Sequence, residues 1–276
     1  MPIKGLLKVR LLFQTAIALI LFSTKATAQG SWHPAGAATV YPRTLLTAAE
    51  LPAVRASLTD NQRRALYRSL VADVAGGPIS DNTSAGGRRS RAAFAKNAAF
   101  VALVDRQADG STTLSPEEHQ RLVTAARTTL ETLNPNVEAF LTLTGTPYTE
   151  WQWRSKELMD YLIAYDLLRG AGAADASLAA ARTRLQLFAG NLYQQSTRSF
   201  LGIAFYRTIK NNHALMTAAA LGMAAVVLND AGSTDSNQQP ANWANVGLWN
   251  LDNVLWEDTQ RQSSPTEVAG YAEGPY

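Results

Sequence analysis

The sequence contains no cysteine, which removes disulfides, thiolate metal sites and cysteine nucleophiles at once. Histidine is nearly as scarce, with three in the chain. Runs of alternating β-branched residues are also missing, which argues against a sheet-based fold. What fills the chain is helical periodicity, broken by glycine, proline and asparagine turns.

Residues 1 to 28 have the layout of a secretory signal peptide. Lys4, Lys8 and Arg10 form a basic start, Leu11 to Phe22 is an apolar run, and Ala26-Thr27-Ala28 is a small-x-small cleavage site. The run is shorter than the roughly 20 residues of a membrane span, so removal is expected rather than anchoring, with Gln29 first in the mature chain. The segment holds four of the 25 Lys and Arg and none of the 22 Asp and Glu. The remainder therefore carries 21 cations against 22 anions, or net −1, and the pI near 9.2 belongs largely to the leader. Nucleic-acid binding draws no support from it. An exported chain without cysteine points to a bacterial envelope, secreted or periplasmic, and no membrane contact is expected after cleavage.

The expected organisation is a signal peptide over 1–28, an extension over 29–46 and one helical domain over 47–276. Thr47-Ala-Ala-Glu50 has capping-box spacing and opens a helix over 48–58. Further helical patterns cover 60–75, 91–108, 115–132, 150–169, 176–199, 213–229 and 242–257. Turns fall at Gly76-Gly77-Pro78, Gly86-Gly87, Asn134-Pro135-Asn136, Gly170-Ala-Gly172 and Gly232 to Pro240. Such helices joined by short loops predict an all-α fold of stacked helical hairpins in two layers. The closing Gly270-Tyr-Ala-Glu-Gly-Pro-Tyr276 is expected to continue into a longer protein.

The chemistry centres on Asn211-Asn212-His213, at the mouth of an alanine-rich helix expected to start near Ala214. Asn212 is the N-cap candidate, and the free N–H groups of the first turn make a carboxylate or phosphate site. The positive helix end favours neutral His213. The plainer reading is that Asn212 caps and His213 satisfies a buried carbonyl. Downstream, Ala218, Ala219, Gly222 and Ala225 form a small face suited to close packing.

Trp151 and Trp153 at the next notable helix entry are either core or a stacking platform for a sugar, with Arg154 binding an acid group. Along that helix Leu158, Leu162, Tyr165 and Leu168 form a core stripe. Arg88, Arg89, Arg91 and Lys96 make the densest basic cluster of the mature chain, an anion-binding rim or a solvated helix start. Asp105 to Glu118 fails as a calcium loop, because Pro116 stands where the bidentate glutamate belongs; it reads as a polar connection. Tyr271, Glu273 and Tyr276 surround the terminal Gly-Pro turn. A tyrosine there serves as acid and base if nearby cations lower its pKa.

Four stretches in order, namely Tyr41 to Arg55, Tyr161-Leu-Ile-Ala-Tyr-Asp-Leu-Leu, Asn211-Asn212-His213 and the closing Gly-Tyr-Ala-Glu-Gly-Pro-Tyr, resemble the heparinase II/III-like and alginate lyase superfamily of polysaccharide lyases. The resemblance implies an incomplete (α/α) toroid, followed in a full protein by antiparallel β domains. It implies an acidic polysaccharide substrate; no cofactor is expected, and no residue of the sequence is singled out as a metal ligand. Asn212 and His213 then match the Asn-His pair that neutralises the uronate carboxylate, with His213 alternatively the base. Tyr276 matches the catalytic tyrosine, with Tyr271 in reserve. Trp151, Trp153, Arg154, Arg88, Arg91 and Glu273 would bind substrate.

Two other readings keep the helical fold. One is a carbohydrate-binding module with no base in reach. The other is a glycoside hydrolase, which needs two carboxylates facing across a cleft, with Asp160, Asp166, Glu267 and Glu273 as candidates.

Overall fold

Serine starts two of the helices. Ser84 accepts the Gly87 N–H at 3.0 Å and caps α3 (Ala85–Asp105). Ser115 forms a reciprocal capping box with Glu118 at the head of α4 (Pro116–Glu131), its hydroxyl taking the Glu118 N–H and the Glu118 carboxylate taking the Ser115 N–H. Before them lie α1 (Leu51–Ser57) and α2 (Asn61–Ala75). After them come α5 (Thr149–Gly170), a 3₁₀ turn (Asp175–Leu178), α6 (Ala179–Thr197), α7 (Asn212–Val227), a second 3₁₀ turn (Ser236–Gln238) and α8 (Pro240–Gln260). The computed structural model describes residues 40–58, 61–105, 113–138, 149–200, 203–204 and 212–260. The leader 1–28, Glu267, Tyr271, Glu273 and Tyr276 lie outside the described residues.

The described chain is all-helical except for a two-stranded ribbon between α6 and α7. In it β1 (Ser199–Phe200) pairs antiparallel with β2 (Ile203–Ala204), Ser199 opposite Ala204 and Phe200 opposite Ile203. No helix among the described residues is long and apolar enough to cross a membrane.

Helices α3 to α8 stack as three antiparallel hairpins in two layers. The first layer is α3, α5 and α7, each packed on the next. Arg89 meets Trp153 near the helix starts and Lys96 meets Asp160 further along. Ser155 meets Thr217 likewise, while Arg43 bonds both Asp166 and Val227 near the far ends. These three helices therefore run parallel. The second layer is α4, α6 and α8, each returning against its hairpin partner. Arg91 of α3 bonds Thr132 just beyond α4, and Asn250 of α8 bonds the Ala214 carbonyl of α7. The core lies between the layers, with Leu103, Leu130, Leu158, Leu162, Phe188, Leu192, Leu221 and Trp243 fully buried.

Two glycines sit where the backbone needs a positive φ. Gly77 has φ 77° after α2, and Gly172 has φ 88° just past α5. Gly170 serves differently, since a Cβ there would lie 2.5 Å from Pro42, which the extension lays across the end of α5.

Three expectations need correction. The helix expected from 91 starts at Ala85, because Asp81 and Ser84 supply a strong start that the Gly86-Gly87 pair obscures. Glycine costs little helix stability in a first turn, and a Cβ at Gly87 would meet Asp81 at 2.5 Å. The Thr47 box is only half formed: Glu50 accepts the Thr47 N–H at 2.7 Å and hydroxyl at 2.9 Å, yet Glu50 itself is the N-cap and the helix begins at Leu51. Helix α7 begins at Asn212, which is therefore the first helical residue rather than the cap before the helix. Of the polar connection expected over Asp105 to Glu118, residues 106–112 lie outside the described residues, and buried Asp105 takes the N–H groups of Thr113 and Leu114 at 3.1 Å each.

Candidate anion-binding end of the first layer

Parallel α3, α5 and α7 bring their N-terminal ends together. Arg88 and Arg89 lie at the start of α3, Trp151, Trp153 and Arg154 at the start of α5, and His213 in the first turn of α7. The offset that pairs Ser155 with Thr217 sets His213 level with Trp151. Asn212 belongs to the same turn, although its side chain is outside the described residues.

The side chains divide between two directions. Arg154 turns inward, 4% exposed. It pairs with Glu157, gives Nη2 to the carbonyls of Asn134 at 2.5 Å and Asn136 at 2.9 Å, and lies 4.2 Å from the Phe188 ring centroid. Burial pushes its guanidinium below its ordinary pKa, while the Glu157 charge opposes that shift. Arg91 also turns inward, to the Ile79 carbonyl and the Thr132 hydroxyl, both at 2.8 Å. Arg88 reaches the Glu157 carboxylate at 3.6 Å and the Thr83 carbonyl. Trp151 is fully buried, so it offers no face to a sugar and belongs to the core. The substrate-binding expectation for Trp151, Arg154 and Arg91 thus gives way to packing and internal pairing.

Outward lie different residues. Trp153 is 37% exposed, and the Arg89 guanidinium covers its ring at 4.3 Å. Two turns along both helices, Lys96 and Lys156 each place Nζ at 2.6 Å from a different oxygen of Asp160. Neither Lys156 nor the bridging of two lysines by Asp160 was expected from the sequence. The signal was present, because 153, 156 and 160 share one helical face, as do 89 and 96.

His213 is 2% exposed. Its carbonyl accepts the Thr217 hydroxyl at 3.0 Å, and Thr217 meets Ser155 at 2.9 Å, which ties the start of α7 to α5. Of the four hydrolase candidates, Asp160 and Asp166 are described, and both are engaged within the fold. Asp160 is committed to two lysines, and Asp166 is fully buried, its Oδ2 taking Arg43 N–H, Thr44 N–H and Thr44 hydroxyl at 2.8, 2.9 and 2.8 Å. Among the described residues no three His, Asp or Glu side chains gather as a metal site.

No family model, curated protein or solved structure matches the chain.

Electrostatically the end is lopsided. Between Arg88 and Lys96 on α3 and between Trp151 and Tyr161 on α5 stand Arg88, Arg89, Arg91, Lys96, Arg154 and Lys156. Among the described side chains the facing carboxylates are Glu157 and Asp160, with Asp81 in the loop before α3, while the side chain of Glu150 in the first turn of α5 lies outside them. Asp81 is held well below the usual carboxylate range by the Ser84 hydroxyl and the Thr83 and Ser84 N–H groups, so it spends its charge on capping. Cations near a helix N-terminus also face the positive end of the dipole. An anion bound there would relieve both penalties.

Proposed function

We propose that the chain is the substrate-cradling helical part of a polysaccharide lyase that cleaves a uronate polymer by β-elimination. The observation that carries this reading is the exposed Trp153 under Arg89 at the same layer end as the His213 helix start. A sugar ring needs an apolar face, and a uronate needs a cation. The three hairpins would then form an arc of an (α/α) toroid, with the first layer lining its concave side.

In the reaction, positive groups and helix N–H donors neutralise the substrate carboxylate, which acidifies the C5 proton. A base removes that proton, the electron pair forms the C4–C5 double bond, and the C4–O4 bond breaks. A tyrosine, Tyr276 or Tyr271, gives its proton to departing O4. His213 acts as neutraliser or base.

A second reading is favoured by the burial of His213, which leaves no described base facing solvent at this end. On it, the chain binds acidic polysaccharide without cleaving it.

Incubation with alginate, hyaluronan, heparan sulfate and polygalacturonate, followed by near-ultraviolet absorbance of the unsaturated uronate, separates the two. A rise on one polymer that His213→Ala abolishes supports the lyase. Binding without a rise supports the module. Neither binding nor a rise sinks both.

A further inference from the structure

The outward residues of α3 and α5 form a seam rather than a point. Arg89 and Lys96 are seven residues apart on α3, and Trp153 and Asp160 seven apart on α5. Seven residues return each side chain to nearly the same face, ~10 Å further along the axis. Arg91 and Arg154 of the same helices point the other way, to Thr132 and Phe188 in the second layer, so the seam lies on the free side of the first layer.

Each end of the seam has a property that internal packing does not require. Arg89 has no carboxylate partner among the described residues, and its guanidinium lies on the Trp153 ring. At the other end, one carboxylate serves two ammonium groups. Asp160 has 7% side-chain exposure, while Lys96 has 26% and Lys156 44%. The buried acid fixes the two cations, and the partly open cations keep N–H donors and one net positive charge for solvent or ligand. A lone surface ion pair would need one lysine, not two.

We propose that this seam is a two-point site for an anionic oligosaccharide. One sugar packs against the part of Trp153 that Arg89 leaves open, with its acid group on Arg89, and an acid group further along the sugar chain sits between Lys96 and Lys156. The site rests on the acidic-polysaccharide reading for its ligand class but not on β-elimination. A single exposed aromatic suits a sugar better than a base-stacking strand, which uses successive aromatics.

The test measures binding of alginate and heparin oligosaccharides to the intact chain by calorimetry, with maltohexaose as the uncharged control and single-stranded DNA as the competing polyanion. Variants are Arg89→Gln, Trp153→Phe and the double Lys96→Gln, Lys156→Gln, each with its thermal midpoint recorded, and Arg184→Gln on α6 as a distant charge control. The expected result is an about tenfold weaker acidic-sugar affinity in Arg89→Gln and in the double variant, little change in Arg184→Gln, and no maltohexaose binding. Lys96→Arg with Lys156→Arg should retain most of the affinity, which separates charge from folding. Equal affinity in the wild type and all variants overturns the seam while leaving the polysaccharide reading intact. No acidic-sugar binding by the wild type overturns both, and tighter binding to DNA than to either sugar replaces the ligand class.

Discussion

Thr44 gives Asp166 Oδ2 both its backbone N–H, at 2.9 Å, and its hydroxyl, at 2.8 Å, and so pins the N-terminal extension to the middle of the fold. Asp166 is fully buried in α5, and the Arg43 N–H completes three bonds to one oxygen. Arg43 then carries the link onward, donating to the Val227 carbonyl at the end of α7 at 3.0 Å. Arg43 and Arg169 both lie against the Tyr41 ring, at 4.7 and 4.2 Å. The extension is therefore a clasp across the C-terminal ends of α5 and α7, opposite the end proposed to bind anions.

Asp166→Ala leaves three part-buried donors without their acceptor. The expected cost is ~3 kcal/mol, since each unmatched buried polar group costs about 1–3 kcal/mol and part is recovered by water. Urea unfolding of the variant should show a lower midpoint with an unchanged slope. Thr44→Val, which removes one of the three bonds, should lose about 1 kcal/mol. Equal midpoints for wild type and Asp166→Ala would show that the clasp contributes nothing.

The helices were legible because their cores repeat with helical spacing: Leu158, Leu162, Tyr165 and Leu168 are indeed all buried. The start of α3 was not, because the glycine pair resembles a turn and its role depends on Asp81, a contact made only once the loop has folded back. The direction of each site residue was also hidden. Trp151 and Trp153 differ by two positions and look equivalent, yet two helical positions turn a side chain by roughly 200°, which puts one in the core and one in solvent. The same rotation separates Arg89 from Arg91. Of the small face on α7, Ala218 and Ala225 are buried while Ala219 is exposed, again a matter of angle that composition does not record.

Alkaline pH should weaken the fold through Tyr161 and Tyr67. Burial raises the pKa of both phenols above the ordinary 10, with the charge of Glu157 adding to the first and that of Asp105 to the second. A folded-state pKa above the unfolded value means that full stability is present below about pH 10. As pH rises past that point the unfolded chain ionises first, and stability falls until the folded phenols titrate too. The urea midpoint should therefore drop between about pH 9 and about pH 11. Tyr161→Phe should have a shallower drop, because one of the two groups no longer titrates. A Tyr161→Phe chain with an undiminished drop would remove Tyr161 from the account.

Close approach of α7 and α8 rests on Gly247. A Cβ at that position would lie 2.9 Å from the Ala218 carbonyl oxygen and 3.5 Å from the Gly222 nitrogen, and both are helix backbone that cannot swing aside. Gly247→Ala must therefore push the two helices apart or bend one of them. The intrinsic helix propensity of alanine favours the substitution by about 1 kcal/mol in a helix interior, whereas overpacking against backbone costs typically 1–3 kcal/mol. Packing wins, and the net expectation is a loss of about 1 kcal/mol, read as a lower thermal midpoint. The shift should also strain the nearby bond from Asn250 to the Ala214 carbonyl, 3.1 Å long, which anchors the first turn of α7 beside His213. Amide exchange in that turn should then quicken in Gly247→Ala, while exchange in α3 stays as it was. A higher midpoint instead would mean that the helices separate freely and that propensity, not contact, governs this interface.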